Sequence, residues 1–202
     1  MANAIQTCQQ VLQPFHPQLR HVVDEAWRRF LTIPASLRIA LTRPIARPTV
    51  MWAYMQEVAA ETFTGVEGVQ AITRFNVTNY LFGNDVLVRL KQLDENGLSR
   101  NYPTPRAVAF NSPQLDLPDI SSSALRVDVG YNLNAVETAV ERVLVSHRVG
   151  DDLDWCYELS PPDDGAMPLP LPVMPVVPPT RWVARAEEGE QDDDRKQATD
   201  AE

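Results

Sequence analysis

Apolar residues follow the period of a helix early in this chain and the period of a strand later. Leu19, Val22, Val23, Ala26, Trp27, Phe30 and Leu31 recur at i, i+3, i+4 spacing, with Arg20, Asp24, Arg28 and Arg29 on the opposite face. Ile33-Pro34 ends that helix, because the residue before proline is pushed out of the α region. A short helical turn is expected over Ser36–Leu41. A second long helix is expected from Pro48 to about Phe63, burying Val50, Met51, Tyr54, Met55, Val58 and Phe63. Gly65 and Gly68 stop it.

The period then falls to about 2. Val69–Phe82 reads as one strand and Val86–Leu93 as the next, joined at Gly83-Asn84, a pair that tolerates positive φ. On the second strand Val86, Val88 and Leu90 point one way, and Leu87, Arg89 and Lys91 the other. Glu95-Asn96-Gly97 is a turn. Thr104-Pro105 reads as an N-cap and first residue of a short helix ending near Phe110, and Pro113–Ser123 as loop. Leu125–Leu133, Ala139–Val149 and Leu153–Leu159 complete an antiparallel meander. Helices first and strands later is the α+β pattern: N-terminal helices packed on an antiparallel sheet of about five strands.

Composition adds boundaries. Eight of the 17 prolines lie between Pro161 and Pro179. Residues 1–150 carry 14 Arg/Lys and 13 Asp/Glu, whereas residues 186–202 carry eight acids and two bases, so the net charge of −9 belongs to the C-terminal quarter. The expected organisation is a flexible N-terminal arm over 1–15, an α+β domain over 16–160, and a Pro-rich linker with an acidic disordered tail over 161–202. Trp182 is the one aromatic anchor in that tail and a candidate docking point.

Two cysteines, Cys8 and Cys156, offer neither a disulfide framework nor metal-ligand spacing, which fits a reducing cytoplasmic compartment. No apolar run approaches 18 residues and no secretory leader is evident, so no membrane partner is expected. HExxH, CxxC, GxSxG and phosphate-binding Gly loops are absent, and no cofactor or metal is expected. Arg142 and His147 form Arg-x4-His, the spacing of a helical ribonuclease signature, but the period-2 pattern around them puts the two on opposite faces of a strand. Asp85 with Arg89-Leu90-Lys91 approaches a PD-(D/E)xK nuclease motif, with a guanidinium where the second carboxylate would hold Mg²⁺.

The densest cationic stretch is Arg89, Lys91, Arg100, Tyr102 and Arg106. Planar donors with one aromatic suit an acidic partner surface, or phosphate and stacked bases. These five are the candidate binding residues, and no residue is assigned to catalysis.

The runs VLVRLKQLDENGLSRNYPTPRAVAF, LRVDVGYNLNAVETAVERVLVSH and LDWCYEL resemble a group of uncharacterised bacterial proteins that often accompany ImmA/IrrE-type metallopeptidases. NYPT and VGYNL carry the resemblance, with Trp155 and Glu158 in the closing strand. It implies a non-enzymatic regulator acting through a protein partner, such as a metallopeptidase, in a stress, toxin-antitoxin or phage-defence module. The alternative is a nucleic-acid-binding module, such as an RNA-targeting toxin, using the Arg89–Arg106 segment.

Overall fold

The computed structural model describes residues 2–161 apart from 42, 44, 75, 100–109, 111–120 and 122, all within one compact unit, Met1–Leu169. Four α-helices come first: α1 (Ala2–Leu12), α2 (His16–Thr32), α3 (Ala35–Ala40) and α4 (Ala46–Phe63), with a single 3-10 turn, Gln13–Phe15, between α1 and α2. Six strands follow: β1 (Val69–Arg74), β2 (Val77–Phe82), β3 (Val86–Gln92), β4 (Leu125–Leu133), β5 (Val140–Val149) and β6 (Asp152–Glu158). They form one sheet in sequence order, so the fold is mixed α+β.

The period-3.6 stripes do what they predict. Leu19, Val22, Val23, Ala26 and Phe30 of α2 are buried, as are Met51, Met55, Val58, Ala59 and Phe63 of α4. They meet Tyr80, Phe82, Val86, Val88, Leu90, Val127, Val129, Tyr131, Val143 and Val145 from one face of the sheet. Each fully buried side chain of this size contributes about 1.5–3 kcal/mol before entropy is counted. Ile33 is extended (φ −63°, ψ 130°), as its following proline requires. α4 starts two residues ahead of Pro48, which therefore sits inside its first turn.

Four expectations are corrected. First, residues 2–12 are not a loose arm: α1 buries Cys8 and Leu12 against the helix-side core. Second, Val69–Phe82 is two strands, not one. Asn76 adopts φ 60° between them, and β1 folds back on β2 with Arg74 opposite Val77. Third, the described residues therefore form six strands of the sheet rather than about five. Fourth, it is not wholly antiparallel. β3 and β4, its two central strands, run parallel, with Val88 opposite Val127 and Leu90 opposite Val129. A parallel pair needs a crossover, and the chain between Gln92 and Leu125 supplies it.

The hairpin at Gly83-Asn84 forms as expected. Both residues have positive φ (57° and 65°), and the Asp85 N–H donates to the Phe82 carbonyl at 3.0 Å. Gly130 has a different reason to be glycine. A Cβ there would overlap the carbonyl oxygen of Lys91 on the parallel neighbour.

Candidate functional site

The face of the sheet away from the helices is polar at its centre. The parallel register sets Arg89 of β3 directly opposite Asp128 of β4. Their side chains form a bidentate pair: Arg89 Nε donates to Asp128 Oδ1 at 2.6 Å and Arg89 Nη2 to Oδ2 at 2.8 Å. Both residues are buried, at 7% and 2% exposure. Fork-to-carboxylate geometry with two short charge-assisted bonds is the strongest form such a pair takes.

The rest of the network ties the crossover to this pair. Ser99 Oγ donates to Asp128 Oδ2 at 3.0 Å, and Arg148 Nη1 of β5 donates to the Ser99 carbonyl at 3.3 Å. The Phe110 ring lies over the Arg89 guanidinium, 3.9 Å from its carbon to the ring centroid. Phe110, Leu87, Leu81, Ile72 and Ala124 form a small second apolar cluster beside it. Asp94 steadies the approach to Ser99. Its Oδ1 accepts the N–H groups of Asn96 and Leu98, both at 2.9 Å, with Gly97 at φ 81° in the predicted turn.

Arg89 was expected to face a partner. Its guanidinium instead faces Asp128 and Phe110. Lys91, two residues on along the same face, is half-buried beside them. Burial, then repulsion from Arg89, pushes its ammonium below the ordinary lysine range against the pull of Asp128. Arg100, Tyr102, Arg106 and Trp182 lie outside the described residues, as does the Thr104-Pro105 helix start. Asp128, Ser99, Phe110 and Arg148 carry the network and were missed. The one usable signal was Asp128 inside LRVDVGYNL, a carboxylate in an otherwise apolar strand.

Arg142 and His147 stand on opposite faces of β5, as their period-2 setting requires. Arg142 Nε donates to Glu158 Oε2 at 2.9 Å. His147 Nδ1 lies 3.1 Å from Asp154 Oδ2, with its ring stacked on Trp155 at 5.2 Å. The aromatic side chains of the sheet belong to the core: Tyr80, Phe82 and Tyr131 are almost fully buried, and Trp155 and Tyr157 pack against the same cluster.

On the helix side, the Cys8 thiol is pushed up to about 12 by burial, partly offset by a hydrogen bond with Tyr157. His16 Nε2 lies 3.3 Å from the Tyr157 hydroxyl, and burial lowers the His16 pKa. Among the described residues no group of three or more His, Cys, Asp or Glu could hold a metal ion. No helix among them is long and apolar enough to cross a membrane.

No protein-family model, curated protein or solved structure matches this chain.

Proposed function

We propose that this chain is a non-enzymatic bacterial binding protein that regulates, or is regulated by, a protein partner held on the segment Arg100–Ala109. One observation carries the reading. The residue before the segment, Ser99, and the residue after it, Phe110, are both held by the buried Arg89–Asp128 pair. The two residues that bracket the segment are therefore both anchored on one buried pair. Its sequence supplies Arg100, Tyr102 and Arg106, the donors and aromatic that suit an acidic protein surface. Arg89 belongs to the reading as a positioning residue. The resemblance of NYPT and VGYNL to companions of ImmA/IrrE-type metallopeptidases supports a partner of that kind, in a stress, toxin-antitoxin or phage-defence module.

Affinity capture from the source organism tests this, using the full chain and the Arg100→Glu/Arg106→Glu variant. The expected outcome is one stoichiometric protein retained by the wild type and lost by the variant. Nuclease-sensitive nucleic acid in place of protein, released steeply by salt, would replace this reading with a phosphate-binding one.

A further inference from the structure

The two edges of the described sheet are built differently. β6 carries three acids, Asp152, Asp154 and Glu158, and its pairing with β5 shifts register between His147 and Arg148. Charge and irregularity of this kind keep an edge from adding strands. β1 has neither defence along its length. Its sequence, VQAITR, carries one charge and no proline, and it pairs with β2 in unbroken register from Val69 to Arg74. Among the described residues no strand lies against its outer side. Gln70, Ala71 and Thr73 are exposed.

Two hydrogen bonds fix which backbone groups of β1 point outward. The Gly83 N–H donates to the Gly68 carbonyl at 2.9 Å, so Gly68 and Gly83 are bonded across the hairpin. The Thr78 N–H, opposite Thr73, turns away from β1 and donates to Gln56 Oε1 at 3.1 Å. Bonded and non-bonded pairs alternate along an antiparallel ladder. Gln70, Ile72 and Arg74 therefore bond to β2, and Val69, Ala71 and Thr73 direct their backbone groups outward. The Val69 N–H is taken by the Val66 carbonyl at 3.2 Å. The edge thus presents the N–H and C=O of Ala71 and Thr73 and the C=O of Val69.

We propose that this edge binds the same edge of a second copy of the chain, antiparallel about a two-fold axis at Ala71. The described strands of the two copies then form one continuous sheet. In that register Ala71 exchanges both backbone bonds with its own copy, and the Thr73 N–H of each copy meets the Val69 carbonyl of the other. The charges match as well. Arg74 stands at one end of β1, and exposed Glu67 lies beside Gly68 at the other. The two-fold sets Arg74 of each copy opposite Gly68 of the other, next to Glu67, so each end meets its opposite sign. A two-fold contact through β6 about Cys156 would instead set Asp154 against Glu158, acid on acid. The chain's own Pro168–Pro179 run is a poor occupant, because half of its positions are prolines without an N–H to donate. The contact shares no residue with the Arg100–Ala109 segment and stands apart from its reading.

Sedimentation velocity of the full-length chain under reducing conditions tests it, from about 5 µM to about 500 µM. A six-residue strand is about 20 Å long, so the expected result is a weak, reversible monomer–dimer equilibrium with a Kd of roughly 10–100 µM. Ala71→Pro removes an outward N–H at an edge position that tolerates proline, and should weaken dimerisation about tenfold or more. Glu67→Arg and Arg74→Glu should each weaken it about threefold or more, and the double variant Glu67→Arg/Arg74→Glu should restore it. Cys156→Ser, on the opposite edge, should leave it unchanged. Circular dichroism checks that Ala71→Pro folds, and the charge variants test the register without it. Three results would overturn the proposal: a monomer throughout that range, a dimer indifferent to Ala71→Pro in a folded chain, or a double charge variant no tighter than the single ones.

Discussion

The two faces of this sheet are built on different principles. The helix-covered face is a continuous apolar layer in which α1, α2 and α4 meet alternate residues of β2 to β5. The opposite face is organised around one buried ion pair, with Ser99, Arg148 and Phe110 gathered on it and a small apolar cluster beside it. Apolar packing tolerates many arrangements of similar volume. A bidentate pair tolerates one. The first face is held by packing alone, and the second by a polar network that also anchors Ser99 and Phe110.

Breaking the ion pair should have an effect as large as any core truncation. Asp128→Ala removes the bidentate carboxylate from buried Arg89, and should lower unfolding free energy by about 3–5 kcal/mol in urea titrations. The double change Arg89→Met/Asp128→Leu should recover most of that loss, because apolar side chains of similar volume substitute well for buried pairs. Recovery of stability without recovery of partner binding would separate the positioning role from a purely stabilising one. On the other face, Phe82→Ala should cost about 3–5 kcal/mol through the cavity it leaves, with no second change of charge able to restore it.

Gly130→Ala sharpens the contrast at the junction of the two faces. The added methyl meets Lys91 backbone, so β3 and β4 must separate, at a cost of about 1–3 kcal/mol by the same titration. Alkali should pull the faces in opposite directions. Lys91 has its pKa lowered in the fold, so below the ordinary lysine range the unfolded chain binds more protons and stability rises with pH. Cys8 has its thiol raised from 9.0 to about 12, so above pH 9 the unfolded chain loses its proton first and stability falls. Lys91→Met should remove the rise and Cys8→Ala the fall, read from unfolding midpoints between those limits. The smallest effect is a gain. The Tyr80 hydroxyl is buried without a partner, and Tyr80→Phe should stabilise by up to about 1 kcal/mol.

The helix-side face was legible because its information is local. The stripes of α2 and α4 lie in consecutive residues, and Gly83-Asn84 announces its own turn. The crossover face was not. Arg89 and Asp128 are 39 residues apart and meet only if β3 and β4 are parallel, which no local pattern encodes. Read as neighbours in sequence, Arg89, Lys91 and Arg100 looked like one cationic surface. Read in register, Arg89 is already neutralised. The Asn76 turn was missed because Arg74 to Thr78 continues a strand-like alternation through it, and asparagine's tolerance of positive φ is a weaker signal than glycine's. The N-terminal residues looked polar because α1 commits Cys8 and Leu12 to the core at four-residue spacing within a Gln-rich run.

Amide hydrogen exchange of the Asp128→Asn variant tests most directly the claim that the buried pair holds the crossover. The substitution keeps the shape of the side chain and removes its charge. The account predicts faster exchange across Asp94–Ser99 and around Phe110, with protection in α2, α4 and β2 unchanged. Exchange that is unaltered there, or that rises evenly across both faces, would contradict it.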